Sequence, residues 1–324
     1  MVIHLCKYIK NIFLTFFFFL LTVLLLTFPG KSLAFSLTGL QLWFNKMIPA
    51  LLPFMILSGI MIRLNLTENF VKIVSPVLTP LLRISLNGIY AVLIGFLCGF
   101  PMGARVIAEL YGADKISKNE ASLLLGFCNN IGPVYFISFV LPTLGLTRKF
   151  PLLFGMYGLP FLYGIFLRYT FYRDKIPMYQ SHSHPPSPKK NTAASQPSLL
   201  SALDDSIMSG LYGIARLGGY MILFNLLNVL YFPGTSAGKD TEAAFLNCLL
   251  EITSGISRLG DQAPLMVLLL LPFGGFSCIA QTYSMIKTTD LSLSKYVLHK
   301  LVLTLITACY YGLWLLLSPS SFLL

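Results

Sequence analysis

The chain has 324 residues, of which 56% are hydrophobic and only 11% are charged, with a formal net charge of +11. A water-facing domain carries roughly 25% charged residues, so composition excludes an ordinary soluble protein. The basic residues are scattered at segment ends rather than gathered on one face, which argues against a nucleic-acid partner.

Apolar runs close to the ~20 residues that cross a bilayer core recur along the chain. They predict an all-α, polytopic transmembrane protein in a lipid bilayer. The ~10-residue alternating segments of a membrane β-barrel are absent.

In chain order, Lys7 and Lys10 precede the apolar run Ile12 to Phe28. Ser32-Leu33-Ala34 loosely resembles a signal-peptidase site, but the run is long for a signal peptide and reads as an uncleaved first helix. Leu37 to Ile62 is expected to be a helix kinked by Pro49 and Pro53, closed by Arg63. Residues 64–85 are mixed and suggest an interfacial or re-entrant segment.

Leu86 to Tyr111 reads as a helix broken at Gly99-Phe100-Pro101, and Ala121 to Val140 as one broken at Cys128-Asn129-Asn130-Ile131-Gly132-Pro133. Phe150 to Tyr172 completes this half. Residues 173–199 turn proline-, serine- and lysine-rich, a linker by composition. Its Arg173, Lys175, Lys189 and Lys190 stand against Asp174 alone, which with Lys7 and Lys10 places the N-terminus and the linker on the cytoplasmic side of the cell membrane. Helices follow over Leu203 to Leu230, Phe245 to Leu259, Pro264 to Ile286 and Leu291 to Leu317. Asp204 and Asp205 read as helix N-terminal caps.

The cysteines are Cys6, Cys98, Cys128, Cys248, Cys278 and Cys309, with no metal-site spacing, so neither disulfide nor metal is expected. His182 and His184 lie in the proline-rich loop, and His299 is a lone embedded histidine. No metalloprotease, serine-hydrolase, P-loop or dinucleotide motif appears. An enzyme and a bound cofactor are therefore not expected.

Two glycine-broken motifs remain. Gly99-Phe100 and Ala104 match Gly275-Phe276 and Ala280 at an offset of 176 residues, which Asp114 and Asp290 share. Paired breaks in two halves are a pointer to the binding site of a secondary transporter. Non-helical backbone at membrane depth survives only where protein shields it or a cavity is lined by it. The restarted half-helices present free N–H groups that suit anions.

Candidate substrate contacts are therefore Gly99, Pro101, Gly103, Arg105, Asn129, Asn130, Gly275, Ser277 and Gln281. Arg105 either clamps an anion or neutralises Glu109 one turn on. Asn129 and Asn130 either cap a helix at the break or touch the substrate. Glu251, with Thr253 and Ser254, reads as a structural network or as a proton or sodium site, and Glu109 is the second candidate for coupling. Gln281 occupies the position that matches Arg105, so the repeats share a backbone device but not a charge.

The stretches Cys98 to Arg105, Cys128 to Pro133, Leu250-Glu251-Ile252-Thr253-Ser254-Gly255 and Gly274-Gly275-Phe276-Ser277 resemble, in this order, the YlbJ family of sporulation integral membrane proteins, which belongs to the nucleoside-recognition (Gate) domain proteins. The resemblance covers about residues 36–317. It implies a Gate-type fold of two inverted repeats, similar to concentrative nucleoside transporters, and transport of a small anionic metabolite, dipicolinic acid, in sporulation. On this reading the chain divides into a first helix (1–35), a repeat (36–172), the linker (173–199) and a second repeat (200–324). The alternatives are a nucleoside-type transporter and a non-transporting membrane scaffold.

Overall fold

A computed structural model describes residues 2–146, 149–176, 198–231 and 241–317. Every regular element among them is helical. Among the described residues six helices are long and apolar enough to cross a membrane, or seven if one sharply bent pair counts as a span. The chain is thus a multi-pass membrane protein.

Helix α1 (Val2–Thr27) leaves Phe13, Phe16, Phe18, Phe19 and Leu26 exposed, a surface that only lipid satisfies. Helix α2 (Pro29–Arg63) runs unbroken for 35 residues, so the expected boundary at 35/36 falls inside it. It carries a π-helical turn at Trp43–Met47, just before Pro49, and holds Pro53 in its interior; neither proline ring nitrogen can donate.

Two short helices, α3 (Thr67–Val71) and α4 (Ser75–Leu82), follow. Helix α4 turns 102° into α5 (Leu86–Cys98), the geometry of a broken span or of a re-entrant loop. Helices α6 (Met102–Gly112), α7 (Lys118–Phe127), α8 (Pro133–Thr143) and α9 (Lys149–Tyr169) complete this half.

The second half comprises α10 (Leu199–Leu230), α11 (Thr241–Leu250), α12 (Ile252–Leu259), α13 (Pro264–Leu270), α14 (Gly275–Ile286) and α15 (Leu293–Leu317). Helix α10 starts at the Ser198 cap, which accepts from Ser201 N. Asp204 and Asp205 therefore sit inside the helix, exposed, and do not cap it.

One order occurs twice. A long helix is followed, in the first half after α3 and α4, by a pair that folds back on itself, an interrupted helix pair, and another long helix. The members are α2, α5/α6, α7/α8 and α9, then α10, α11/α12, α13/α14 and α15. The two leading helices pack closely because α10 presents small residues to α2. The Trp43 ring lies against Gly218, and its indole N–H donates to Ile214 O at 2.8 Å.

This order pairs the Gly99 fold-back with the one at Glu251, and the Asn129–Asn130 break with Gly274-Gly275. The 176-residue offset matches a hairpin tip to the interruption of a straighter span. The sequence echo is local, and the element order runs in a different register.

Candidate functional site

The first fold-back turns at Gly99, whose φ of +79° lies in the left-handed region that glycine alone enters cheaply. A Cβ there would also run into the backbone of Gly132. The tip is thereby pressed onto the α7/α8 interruption, and Phe100 N–H donates to Asn130 O at 2.6 Å. Pro101, after a cis peptide bond, heads α6. Gly103 lets α6 approach Cys128 O.

Asn129 and Asn130 work as joints. Asn129 Oδ1 accepts from Ala104 N at 3.3 Å, capping the start of α6, while its amide donates to Thr282 Oγ1 at 2.9 Å and Tyr296 Oη at 3.1 Å. Asn130 Nδ2 donates back to Phe127 O at 2.7 Å, closing α7. Both side chains are buried.

The second half repeats the device with other atoms. Glu251 is extended, and its carboxylate caps α12 by accepting from Thr253 N at 3.3 Å and Ser254 N at 2.7 Å. Ser254 Oγ donates to Asn247 Oδ1 at 2.7 Å. Gly275, with φ +80°, faces the carbonyls of Cys248 and Leu249; a Cβ would come within 3.0 Å of each. Gln281 Nε2 donates to Ser277 Oγ at 3.0 Å.

A cavity of about 340 Å³ opens where the two halves meet. Its wall takes Phe100 and Gly132 from the first half, and Glu251, Thr253 and Gln281 from the second. Leu217 and Met221 of α10 and the exposed Lys46 of α2 close it. The volume lies at the small end of ligand pockets.

Arg105 stands apart from this lining. Its Nε donates to Glu109 Oε1 at 2.8 Å and its Nη2 to Ser209 Oγ on α10 at 2.9 Å. Its Nη1 is buried with no hydrogen-bond partner.

Lys300 was not singled out from the sequence. It is 1% exposed on α15, and its ammonium donates to Asn129 O and, at 2.9 Å, to Asn130 Oδ1. The Phe100 ring centroid lies 4.8 Å away and that of Tyr296 5.6 Å.

Over 328 residues the chain is 25% identical to the sporulation integral membrane protein YlbJ of Bacillus subtilis (strain 168), covering 91% of this chain and 80% of that one. The likeness to this sporulation integral membrane protein runs over nearly the whole chain. No family model matches it. No solved structure matches it either.

Of the candidate residues, Glu251 and Gln281 line the cavity, with Ser277 bonded behind Gln281. Gly99, Pro101, Gly103, Asn129, Asn130 and Gly275 build the tips and breaks around it. Arg105 and Glu109 form a separate pair against α10. His182, His184, Lys189 and Lys190 lie outside the described residues, as do the side chains of Cys6 and Lys7.

Proposed function

We propose that this integral membrane protein is a secondary transporter for a small anionic metabolite, with dipicolinic acid the first compound to test and sporulation the setting. The observation that carries the reading is the cavity walled by both kinds of break, Phe100 and Gly132 on one side and Glu251 on the other. A ligand held there touches the tips of both fold-backs at once, as alternating access requires.

Several features favour an anion with a ring. Lys46 stands at the wall, and Lys300 lies behind Phe100. Gly132, Val134 and Tyr135 at the start of α8 line the cavity, so the positive end of a half-helix lies at its wall. Phe54, Phe100, Tyr135 and Phe139 supply aromatic wall. The coupling ion is a proton or sodium. Glu251 is the carboxylate in the wall, and the Arg105–Glu109 pair serves as a joint to α10 rather than as the clamp itself. The N-terminus and the 173–199 linker face the cytoplasm on this reading.

Uptake into proteoliposomes tests it. The wild type is expected to accumulate labelled dipicolinate above protein-free vesicles, and Leu217→Trp, which fills the cavity from α10, is expected to abolish the accumulation. Equal accumulation in the two proteins, or none in the wild type, overturns the proposal. A parallel arm with uridine separates the nucleoside reading.

A further inference from the structure

Lys300 lies two turns into α15, buried, and the described residues give its ammonium no carboxylate. The ion pairs among them are Arg105–Glu109 and Lys118–Asp290. Its charge is held by two oxygens, Asn129 O and Asn130 Oδ1, and by the faces of Phe100 and Tyr296. A lone buried ammonium is costly. Lysine, unlike arginine, can release its proton in such a setting.

The two oxygens belong to the α7/α8 interruption, while Lys300 belongs to the long helix that ends the second half. The ammonium is thus a strut between the halves. Phe100 connects it to the cavity: its ring forms part of the wall and lies beside Nζ, and its N–H donates to Asn130 O. An occupant pressing on the Phe100 ring acts on the same break that the ammonium holds.

We propose that Lys300 is a proton-binding site that couples substrate movement in the cavity to proton movement across the membrane. With the proton bound, the ammonium locks the Asn129–Asn130 break to α15. On release, the N–H bonding pair stays on the amine, the proton passes to water, and both oxygens exchange a charged donor for the weaker N–H groups of a neutral amine, so the break loosens. This inference rests on the transporter reading and narrows its drive to protons.

The titratable groups that face Lys300 are Cys128 at the end of α7, Cys278 on α14 and Tyr296 on its own helix. Helix α13 carries none. On α9, Tyr163 bonds His299 instead.

Hydrogen exchange of the full-length protein, corrected for intrinsic rates, reads the lock directly through peptides covering residues 126–134. The wild type is expected to lose protection there by about tenfold or more between about pH 6 and about pH 9. Lys300→Arg is expected to stay protected throughout, and Lys300→Met to be unprotected throughout. A wild-type profile as flat as that of Lys300→Arg overturns the site, as does full protection in Lys300→Met. If neither variant folds, a flat wild-type profile decides alone.

Proteoliposomes holding a pH dye then separate the two readings. Proton entry with dipicolinate in the wild type, and its loss in Lys300→Arg, is the expected result. Dipicolinate flux without proton movement overturns the coupling. A titrating break with no flux of dipicolinate or uridine overturns the transporter reading on which the coupling rests.

Discussion

Asp290 accepts a hydrogen bond from Lys118 Nζ at 2.5 Å, pinning the turn between α14 and α15 to the start of α7. Tyr111 Oη donates to the other oxygen at 2.8 Å. Two connections from different parts of the chain, the α6/α7 turn and the α14/α15 turn, meet at this carboxylate.

The hydrogen bond from Lys118, and then that from Tyr111, holds the Asp290 carboxyl below its usual range. A depressed folded-state value means a contribution present above the unfolded value and lost as pH falls through the folded one, below about pH 4. Asp290→Asn is expected to melt slightly below the wild type near neutral pH. The two should converge in acid and in high salt, because the pair is solvent-exposed. Thermal unfolding in detergent across pH measures this.

Gly99→Ala forces a side chain into a left-handed conformation and into the Gly132 backbone. It is expected to cost about 1–3 kcal/mol or more. Gly219→Ala, in open space on α10, is expected to be neutral or to stabilise by up to about 1 kcal/mol. Paired melting curves of the two variants check the contrast.

Glu251→Ala removes the acceptor for two amides at the start of α12. The loss of a cap is expected to destabilise by about 1 kcal/mol. Glu251→Gln keeps one acceptor and should lose less. Amide exchange at Thr253 and Ser254 reports the change locally.

The Arg105–Glu109 pair is asymmetric, with side-chain exposures of 5% and 26%. Glu109→Gln leaves a buried guanidinium without its carboxylate, whereas Arg105→Met leaves a carboxylate that water reaches. Glu109→Gln is therefore expected to be the more damaging, by about 3–5 kcal/mol at most. The double variant should be less destabilised than Glu109→Gln alone, a coupling that a double-mutant cycle reads.

The sequence carried most of the span architecture, because runs such as Ile12 to Phe28 need only length and hydropathy to be read. Gly99 and Gly275 were legible because glycine is what a tight tip demands. The Glu251 fold-back was harder to see. Its turn has no glycine or proline at the bend; the acid itself supplies the cap that starts the next helix.

Lys300 escaped notice because a lysine in the third turn of a terminal apolar helix reads as a residue reaching for the interface. Only the fold shows that it turns inward to the break. Arg105 had the opposite history. Its partner Glu109 was visible at helical spacing, but Ser209 lies 104 residues away and could not be read from sequence.

At Gly99 and Gly275 the seam between fold-back and interrupted segment is glycine against backbone, with Gly132 N at one and the carbonyl oxygens of Cys248 and Leu249 at the other. At these two points there are no knobs and no holes. Friction there is set by a few hydrogen bonds rather than by interlocked shapes, so each tip behaves as a smooth bearing, and whatever grips or frees the neighbouring amides acts as its brake.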